Sequence, residues 1–221
     1  MPIKKHDFIE IEYLAKIQDS SLVFDLTNEE AAKAHGLYDK SRTYKPIIIC
    51  LGKNDILKGL DDALEGKEPG SSYTITLAPE QAFGKKQASL IKLVPTSLFT
   101  KESIRPVPGL KVNLDNIIGT IKSVSGGRTI VDFNHPLAGK TLIYEIKILR
   151  IVTSPKEKLE GLLAHIITKY QVTITEEQAV IKSNIKEAHI KQELEKEILS
   201  RIPEIKAVSF EPLQEKQEKA K

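Results

Sequence analysis

The chain has very little cysteine, no tryptophan and no long apolar run. Its single cysteine, Cys50, excludes an intramolecular disulfide framework and a zinc site built from several cysteines. No window approaches the roughly 18 consecutive apolar residues that a membrane span needs. The N-terminal lysines are followed by no apolar stretch, so a secretory signal is not expected either. We therefore expect a cytoplasmic protein with no membrane partner.

An excess of one charge is also missing. The 33 Lys and Arg residues are balanced by 30 Asp and Glu residues, which leaves a net charge of +3. That balance is too even for a protein that neutralises a phosphate backbone. The aromatic residues are 6 Tyr and 6 Phe, and a protein that stacks nucleic-acid bases usually has more. No nucleic-acid partner is therefore expected.

What the chain does have is the composition of a folded protein. Apolar residues make up 40% and charged residues 29%, which excludes an intrinsically disordered chain. A length of 221 residues allows more than one domain. The abundance of Lys, Glu and Ile, together with a single Met, is typical of a thermophilic protein.

The N-terminal part alternates between apolar and polar residues, which predicts strands over residues 8–13 and 22–25. Thr27 can cap a helix, and Glu30 three residues later completes a capping box. A short helix is therefore predicted over residues 28–35, between the second and third strands.

The middle of the chain continues this mixture and then changes character. An apolar run predicts a third strand over 47–51, leucine spacing predicts a helix over 57–64, and residues 71–77 alternate as a strand. From 87 to 130, prolines and glycines separate short apolar stretches. Such a pattern is typical of a small β-rich unit.

A long strand predicted over 142–151 is followed by the clearest boundary signal in the chain. Ser154 can cap a helix, a proline occupies the first turn, and Glu157 completes the capping box. The remaining pattern predicts a helix, a hairpin, a second helix and a last strand, which together form an α+β domain over 154–221. The hairpin joint at 175–178 also fits a capping box, so a helix start there stays open.

Four stretches, taken in order, resemble one protein family. They are the strand pair that places Tyr13 before Val23-Phe24-Asp25, and the sequences PIIICLGKNDILKGL (46–60), PEQAFG (79–84) and LIYEI (142–146). This set resembles the FKBP-type peptidyl-prolyl cis–trans isomerases. PEQAFG alone would be a weak signal, whereas four motifs in the right order and spacing are specific.

Some forty residues separate the third stretch from the fourth, and they end in NHPLAGK (134–140). This arrangement is similar to the SlyD-like subgroup, in which the flap of the FKBP domain carries an inserted β domain. The helix-bearing segment at about 27–45 and the extra C-terminal part look like the long archaeal members of that subgroup.

The resemblance implies an α+β fold. An antiparallel β-sheet would form a half-barrel wrapped on a short helix, with a small β-rich domain inserted in the flap and an α+β domain at the C-terminus. The implied parts are the FKBP domain at 1–86 and 131–153, its helix-bearing insert at about 27–45, the inserted chaperone domain at 87–130 and the C-terminal domain at 154–221.

The implied function is peptidyl-prolyl cis–trans isomerisation with chaperone activity, the inserted domain capturing unfolded segments. Prolyl rotation breaks no covalent bond, so neither a cofactor nor a metal is expected. The partners would be unfolded or partly folded proteins and proline-containing peptides. The alternative is a non-catalytic holdase chaperone whose pocket is vestigial.

The resemblance also assigns site residues. The implied catalytic residues are Tyr13, Asp25, Phe83 and Tyr144. The implied substrate-binding residues are Phe24, Ile47, Ile56, Leu57, Leu60, His135 and Leu137. Without the resemblance, the strand aromatics would be ordinary core residues. Ile47 and Leu60 stand where well-known members have aromatic residues, which puts tight binding of macrolide inhibitors in doubt. For His135, a position at the pocket rim and a role in fixing its loop are both open.

The inserted domain is expected to bind clients through an apolar surface. The candidate residues are Leu93, Val94, Leu98, Phe99, Ile117, Ile118 and Ile121. Some of them must form the core of this small domain, and the sequence does not divide the two sets.

The C-terminal domain is small, with about 58 residues between Pro155 and Pro212. A unit of that size buries only ~60% of the surface that its unfolded chain exposes. We therefore expect it to self-associate, which would give a homodimer with two isomerase arms. The alternative is a monomeric domain packed on the FKBP part.

Overall fold

The computed structural model describes residues 1–213, so the last part of the expected C-terminal domain, 214–221, lies outside the described residues. The described chain divides into two compact units. The first consists of Met1–Thr76 together with the residues from Ile143 onward, and the second is Leu77–Leu142.

Strands and helices alternate irregularly along the chain. The strands are β1 (Phe8–Ile17), β2 (Val23–Leu26), β3 (Ile47–Cys50), β4 (Ser72–Leu77), β5 (Ile91–Pro95), β6 (Lys111–Leu114), β7 (Ile117–Ser125), β8 (Arg128–Asp132), β9 (Leu142–Val152), β10 (Tyr170–Thr175), β11 (Gln178–Ser183) and β12 (Ala207–Pro212). The α-helices are α1 (Glu29–Ala34), α2 (Lys58–Leu64), α3 (Thr96–Lys101), α4 (Pro155–Ala164) and α5 (Ala188–Arg201). This mixture, with antiparallel sheets, confirms the α+β class.

A five-stranded sheet of the first unit has the order β2-β1-β9-β4, and β3 also pairs with β1. Strand β1 is antiparallel to both β2 and β3. Its residues Phe8–Ile11 pair with β3, and its residues Leu14–Lys16 pair with β2. Because β9 pairs with β1 as well, β2 and β3 must share the remaining edge of β1. The chain between β2 and β3 therefore leaves the sheet.

Helix α1 lies in that departing segment, and its start differs from the prediction. Asn28, not Thr27, is the N-cap, and its Oδ1 accepts a hydrogen bond from the backbone N of Ala31 at 3.0 Å. Both residue types suit the position. The buried side chain of Ala32 packs in a cluster with Val23 and Leu26 of β2. The segment thus covers one face of the β1–β2 pair.

The C-terminal segment begins as the sequence predicts. The Ser154 hydroxyl accepts a hydrogen bond from the backbone N of Glu157, and Pro155 occupies the first turn of α4. The Glu157 carboxylate does not return to the cap, because it pairs with Arg150 of β9 at 2.9 Å. The predicted hairpin is confirmed as the antiparallel pair β10–β11, and β12 adds to β11 in parallel.

This segment shares one core with the five-stranded sheet. Phe8, Cys50 and Val152 of the sheet are buried in the same cluster as residues of α4, β11 and α5. The members from the C-terminal segment are Leu159, Leu162, Leu163, Ala179, Ile181, Leu194, Ile198, Ile202 and Ile205. This is the packing that the sequence left open as the alternative to self-association. The homodimer stays a prediction.

The second unit contains a four-stranded antiparallel sheet in the order β5-β8-β7-β6. Its hydrophobic core is small, and its buried members are Phe99 of α3 and three sheet residues, Val112, Ile121 and Val131. Strand β8 continues to Asp132, two residues beyond the predicted end of the inserted domain at residue 130. Among residues 1–213, no helix is long and apolar enough to cross a bilayer.

We expect Gly161→Ala to destabilise the protein. A Cβ atom at this position of α4 would lie 2.6 Å from the Cβ of Ile48 on β3. Overpacking of this kind lowers the free energy of unfolding by about 1–3 kcal/mol, whereas Gly→Ala at an open helix position raises it by ~0.5–1 kcal/mol. Chemical denaturation of the full chain measures the difference. The control Lys156→Ala, on an exposed position of α4, should stay within about 0.5 kcal/mol, and a stabilised Gly161→Ala variant would contradict the packing.

Candidate functional site

Tyr13 and Asp25 lie on the same face of the β1–β2 pair. Asp25 is opposite Ala15 in the antiparallel register, and Tyr13 precedes Ala15 by two residues, so strand alternation places all three on one face. The Tyr13 hydroxyl donates to Asp25 Oδ2 at 2.7 Å. Two of the four residues that the resemblance assigns as catalytic are therefore in direct contact.

Thr27 fixes the backbone of Tyr13, a role that the sequence did not indicate. Its Oγ1 accepts a hydrogen bond from the Tyr13 N at 2.9 Å, and its N donates to the Tyr13 O at 3.0 Å. The residue is only 4% exposed. Thr27 had been expected to cap α1, and this contact with β1 explains why Asn28 takes that position instead.

Three aromatic rings meet beside this pair. Tyr144 of β9 is 6% exposed. Its ring centroid lies 6.0 Å from that of Tyr13 and 6.1 Å from that of Phe24. The Phe24 ring is nearly perpendicular to it, at 83°, which is a favourable edge-to-face arrangement. The structure thus brings together four of the predicted site residues: Tyr13, Phe24, Asp25 and Tyr144.

Arg42 is a further member of this cluster, and no local sequence signal indicated it. Its Nη2 donates to Asp25 Oδ1 at 2.7 Å and to the carbonyl of Leu26 at 2.9 Å. The backbone N of Leu26 also donates to Asp25 Oδ1, at 2.9 Å. The Asp25 carboxylate therefore accepts from a phenol, a guanidinium and a backbone amide. The same carboxylate raises the pKa of the Arg42 guanidinium, chiefly through the hydrogen bond.

Burial governs the ionisation of the two tyrosines. It is the largest cause of the raised pKa of Tyr13, and the charge of Asp25 and the hydrogen bond to it raise that pKa further. Burial, followed by the charge of Asp25, raises the pKa of Tyr144 to about 12. Both phenols are therefore neutral donors at physiological pH.

The predicted aliphatic residues belong to the same unit. Leu60 of α2 is 4% exposed, and Ile47, Ile56 and Leu57 are half-buried. Ile47 starts β3, whereas Ile56 and Leu57 come directly before α2. These half-buried side chains keep part of their surface available to a ligand.

Phe83 and His135 stack in the second unit. Their ring centroids are 4.2 Å apart and the planes are inclined by 6°. The backbone N of Gly139 donates to the carbonyl of Gly84 at 2.8 Å, which joins the PEQAFG and NHPLAG loops. His135 Nδ1 also accepts from the backbone N of Leu137 at 3.2 Å. The loop-fixing role of His135 is therefore observed, and its position at a pocket rim stays a prediction.

Comparison with known proteins agrees with these features. The chain is 31% identical over 155 residues to a short-type peptidyl-prolyl cis–trans isomerase of Methanocaldococcus jannaschii, covering 70% of this chain and 98% of that protein. It is 30% identical over 144 residues to the FKBP-type isomerase SlyD of Vibrio cholerae, covering 63% and 69%. The SlyD of Helicobacter pylori is 33% identical over 141 residues, covering 62% and 74%.

The chain belongs to the FKBP-type peptidyl-prolyl cis–trans isomerase family. In addition, the family model described as "FKBP26, IF domain" matches residues 92–137. This match lies within the second unit of the structure, Leu77–Leu142.

The structure divides the apolar residues of this FKBP-type protein's second unit into two sets. Phe99 and Ile121, both expected in the client-binding surface, are 1% and 0% exposed and form the core, so that assignment was wrong for them. Val94 is partly buried against the same core. The exposed candidates are Leu93, Leu98, Ile117 and Ile118. Four further exposed apolar residues, which the sequence analysis missed, are Leu90, Ile91, Ile104 and Val107.

Asp25→Asn is expected to lower the pKa of the Tyr13 phenol. The substitution removes the negative charge and the charged acceptor, while burial, the largest cause, remains, so the return toward the ordinary value is partial. Ultraviolet titration of phenolate formation measures it, with Tyr13→Phe identifying the transition. Glu12→Gln on the same strand is the control and should leave the Tyr13 transition in place. A Tyr13 titration unaffected by Asp25→Asn would contradict the contact.

The free energy of unfolding is expected to decrease as the pH rises into the alkaline range. Because Tyr13 and Tyr144 have raised pKa values in the folded state, the stability they contribute is fully present below pH ~10, the ordinary value for tyrosine. It is lost as the pH rises through the folded-state values. Denaturant unfolding between neutral pH and pH ~11 should show this loss, and it should be smaller in the Tyr144→Phe variant.

Proposed function

We propose that this FKBP-type isomerase accelerates rotation about X–Pro bonds in folding proteins, and that its second unit captures unfolded segments. The observation that carries the first part is the cluster of the Tyr13, Phe24 and Tyr144 rings, together with an Asp25 carboxylate that accepts three hydrogen bonds, one of them from Tyr13. A proline ring is apolar and flat enough to pack against such rings, and the half-buried Ile47, Ile56 and Leu57 of the same unit would extend the surface.

The chemistry of prolyl rotation fits such a surface. The barrier of ~18–20 kcal/mol comes from amide resonance. The planar amide is the more dipolar form, so a water-poor aromatic pocket disfavours it relative to the twisted form. Asp25 supports this role indirectly, because three donors occupy its carboxylate and it orients the Tyr13 hydroxyl. No proton transfer is required of it.

The proposed roles follow the family pattern residue by residue. Tyr13, Asp25 and Tyr144 are proposed as catalytic residues, and Phe24, Ile47, Ile56, Leu57 and Leu60 are proposed to hold the proline. For Phe83 as a catalytic residue, and for His135 and Leu137 as substrate-binding residues, the support is the resemblance of their two loop motifs and the stacked Phe83–His135 pair. The substrates would be proline-containing peptides and partly folded proteins.

Tyr13→Ala is expected to lower kcat/KM for a short prolyl peptide roughly tenfold or more, or about 1.4 kcal/mol of transition-state stabilisation. The substitution removes one ring of the cluster and the donor to Asp25. A protease-free isomerisation assay measures it. Tyr73→Ala on β4 is the control and should stay close to the unsubstituted protein. If the unsubstituted chain is inactive while still preventing aggregation, the vestigial-pocket holdase is the correct alternative.

The proposed capture surface is the exposed apolar set of the second unit. Leu93, Ile117 and Ile118 are 59%, 58% and 68% exposed. Exposed apolar side chains of this kind suit the binding of unfolded chain, which presents apolar residues in no fixed order. A captured segment has its prolines held at a high effective concentration near the isomerase of the same chain. Strong binding in the isomerase pocket is then unnecessary.

The variant Ile117→Ser/Ile118→Ser is expected to lose affinity for unfolded clients while keeping its activity on short peptides. If a client buries half of each side chain, the loss is about 1.5–3 kcal/mol, or roughly 10–100-fold. Suppression of client aggregation and proline-limited refolding of a denatured protein measure it.

A matched control keeps this test specific. Leu22→Ser/Ile166→Ser removes two exposed apolar side chains, 61% and 56% exposed, that lie outside the second unit. This variant should retain its effect on aggregation and refolding. Equal losses in the two double variants, or equal losses on short peptides and on refolding protein, would contradict a capture surface in the second unit.

Homodimer formation through the C-terminal segment is also part of the proposal, and its support is limited to the small size of that segment. Part of its apolar surface is already buried against the sheet by Phe8, Cys50 and Val152. Light scattering of the full chain decides between dimer and monomer. The thermophilic source and the cytoplasmic location stay predictions.

A further inference from the structure

The C-terminal segment contacts the elements that carry the proposed pocket residues, and one of these contacts is a partly buried ion pair. Arg201, the last residue of α5, places Nη1 at 2.7 Å from Asp55 Oδ1, and each side chain is 13% exposed. Asp55 directly precedes Ile56 and Leu57 in the chain. The two charged residues are separated by 146 positions, so the pair links distant parts of the sequence.

The loop at 51–57 has little regular structure of its own. Gly52 and Asn54 both have positive φ angles, of 80° and 60°. Its backbone is held by carboxylates: Asp55 Oδ2 accepts from the Cys50 N at 2.8 Å, and Asp61 Oδ2 accepts from the Asn54 N at 3.1 Å. Asp55 is therefore bound on one side by Cys50, the last residue of β3, and on the other by Arg201. The position of the Asp55 backbone therefore determines where the next two residues, Ile56 and Leu57, are placed.

The end of α5 that carries Arg201 is firmly packed in the core. Its neighbours Ile198 and Ile202 are both 0% exposed in the core that also contains Cys50. Its Nε donates to Glu197 Oε2 at 2.6 Å, which orients the guanidinium. A guanidinium at the C-terminal end of a helix is also favoured by the helix dipole. The burial of the pair makes it sensitive to the loss of either partner, because a single buried charge would remain uncompensated.

A second set of contacts reaches β3, which begins with the proposed pocket residue Ile47. Gly161 of α4 packs closely against Ile48, and His165 Nε2 forms a hydrogen bond with the Ile48 carbonyl at 2.9 Å. Strand alternation turns Ile48 toward the C-terminal segment and Ile47 to the opposite face. The segment thus supports β3 from the side that the pocket does not use.

We propose that Arg201 is a positioning residue of the isomerase pocket, which acts through Asp55 on the loop that presents Ile56 and Leu57. This inference rests on the proposed pocket. It assigns to the C-terminal segment a role in the isomerase reaction itself: holding the pocket wall in the geometry that receives the proline ring. Small displacements of such a wall have large effects on rate, because transition-state stabilisation depends on close fit.

The test uses the full chain with Arg201→Met, Arg201→Lys and Asp55→Asn, and with the double variant Arg201→Met/Asp55→Asn. Isomerisation of a short prolyl peptide is measured at a temperature where circular dichroism shows each variant to be folded. Arg201→Met should lower kcat/KM roughly tenfold, with a raised KM, and Arg201→Lys should recover most of the loss. The double variant should be no worse than the poorer single variant, because both act through one pair.

Lys158→Met is the matched control. Lys158 is 15% exposed and pairs with Glu204, which is 41% exposed. The substitution therefore also removes a partly buried cation from an ion pair of the C-terminal segment, but that pair does not involve the loop at 51–57. It should lower thermal stability while leaving kcat/KM unchanged. Methyl NMR signals of Ile56 and Leu57 should shift in Arg201→Met and not in Lys158→Met.

The possible outcomes separate this inference from the pocket proposal. Equal loss of kcat/KM in Arg201→Met and Lys158→Met, additive effects in the double variant, or unchanged kcat/KM in Arg201→Met would overturn the positioning role while the unsubstituted chain remains active. An inactive unsubstituted chain would instead overturn the proposed function.

Discussion

Strand β1 has three pairing partners and only two edges, and the arrangement of the first unit depends on how it divides them. One edge of β1 pairs with β9. On the opposite edge, Phe8–Ile11 pair with β3, and Leu14–Lys16 pair with β2. Backbone groups left between those two stretches need partners of their own. Tyr13 lies at this division, and Thr27 supplies its missing hydrogen bonds. The position between the two paired stretches is thus the one whose side chain donates to Asp25 and contacts the Tyr144 ring.

The Asp25 side chain is only 34% exposed, and hydrogen-bond partners stabilise its carboxylate because removing a charge from water without partners is costly. Asp25 accepts hydrogen bonds from the Tyr13 hydroxyl, the Arg42 guanidinium and the Leu26 backbone. One of these donors, Arg42, comes from the segment that leaves the sheet between β2 and β3. The detour forced by the division of β1 therefore also supplies the cation that balances Asp25. The strand pairing of β1 and the charge balance of Asp25 therefore both depend on the segment between β2 and β3.

The sequence predicted what depends on neighbouring residues and missed what depends on distant ones. Alternation of apolar and polar residues predicted the strands. The Ser154 cap was confirmed, because its hydrogen bond joins two residues only three positions apart. Thr27 and Asn28 are both suitable N-cap residues by type, and Thr27 is held by a tertiary contact with β1 while Asn28 caps the helix. Arg42 and Arg201 pair with carboxylates 17 and 146 positions away, and no local pattern marks such partners. The family motifs placed Tyr13, Phe24, Asp25 and Tyr144 correctly together, but not the groups that hold them.

The exposed apolar residues of the second unit follow from its size. A four-stranded sheet and the α-helix α3 enclose a hydrophobic core whose buried members are Phe99, Val112, Ile121 and Val131. Along β5, Val94 faces this core, so alternation turns Leu93 to the opposite face, where no second layer of this unit covers it among the described residues. A larger domain would bury both faces of its sheet. A unit this small cannot, because its surface is large relative to its volume. The small size of the second unit, which limits its stability, therefore also leaves apolar side chains exposed.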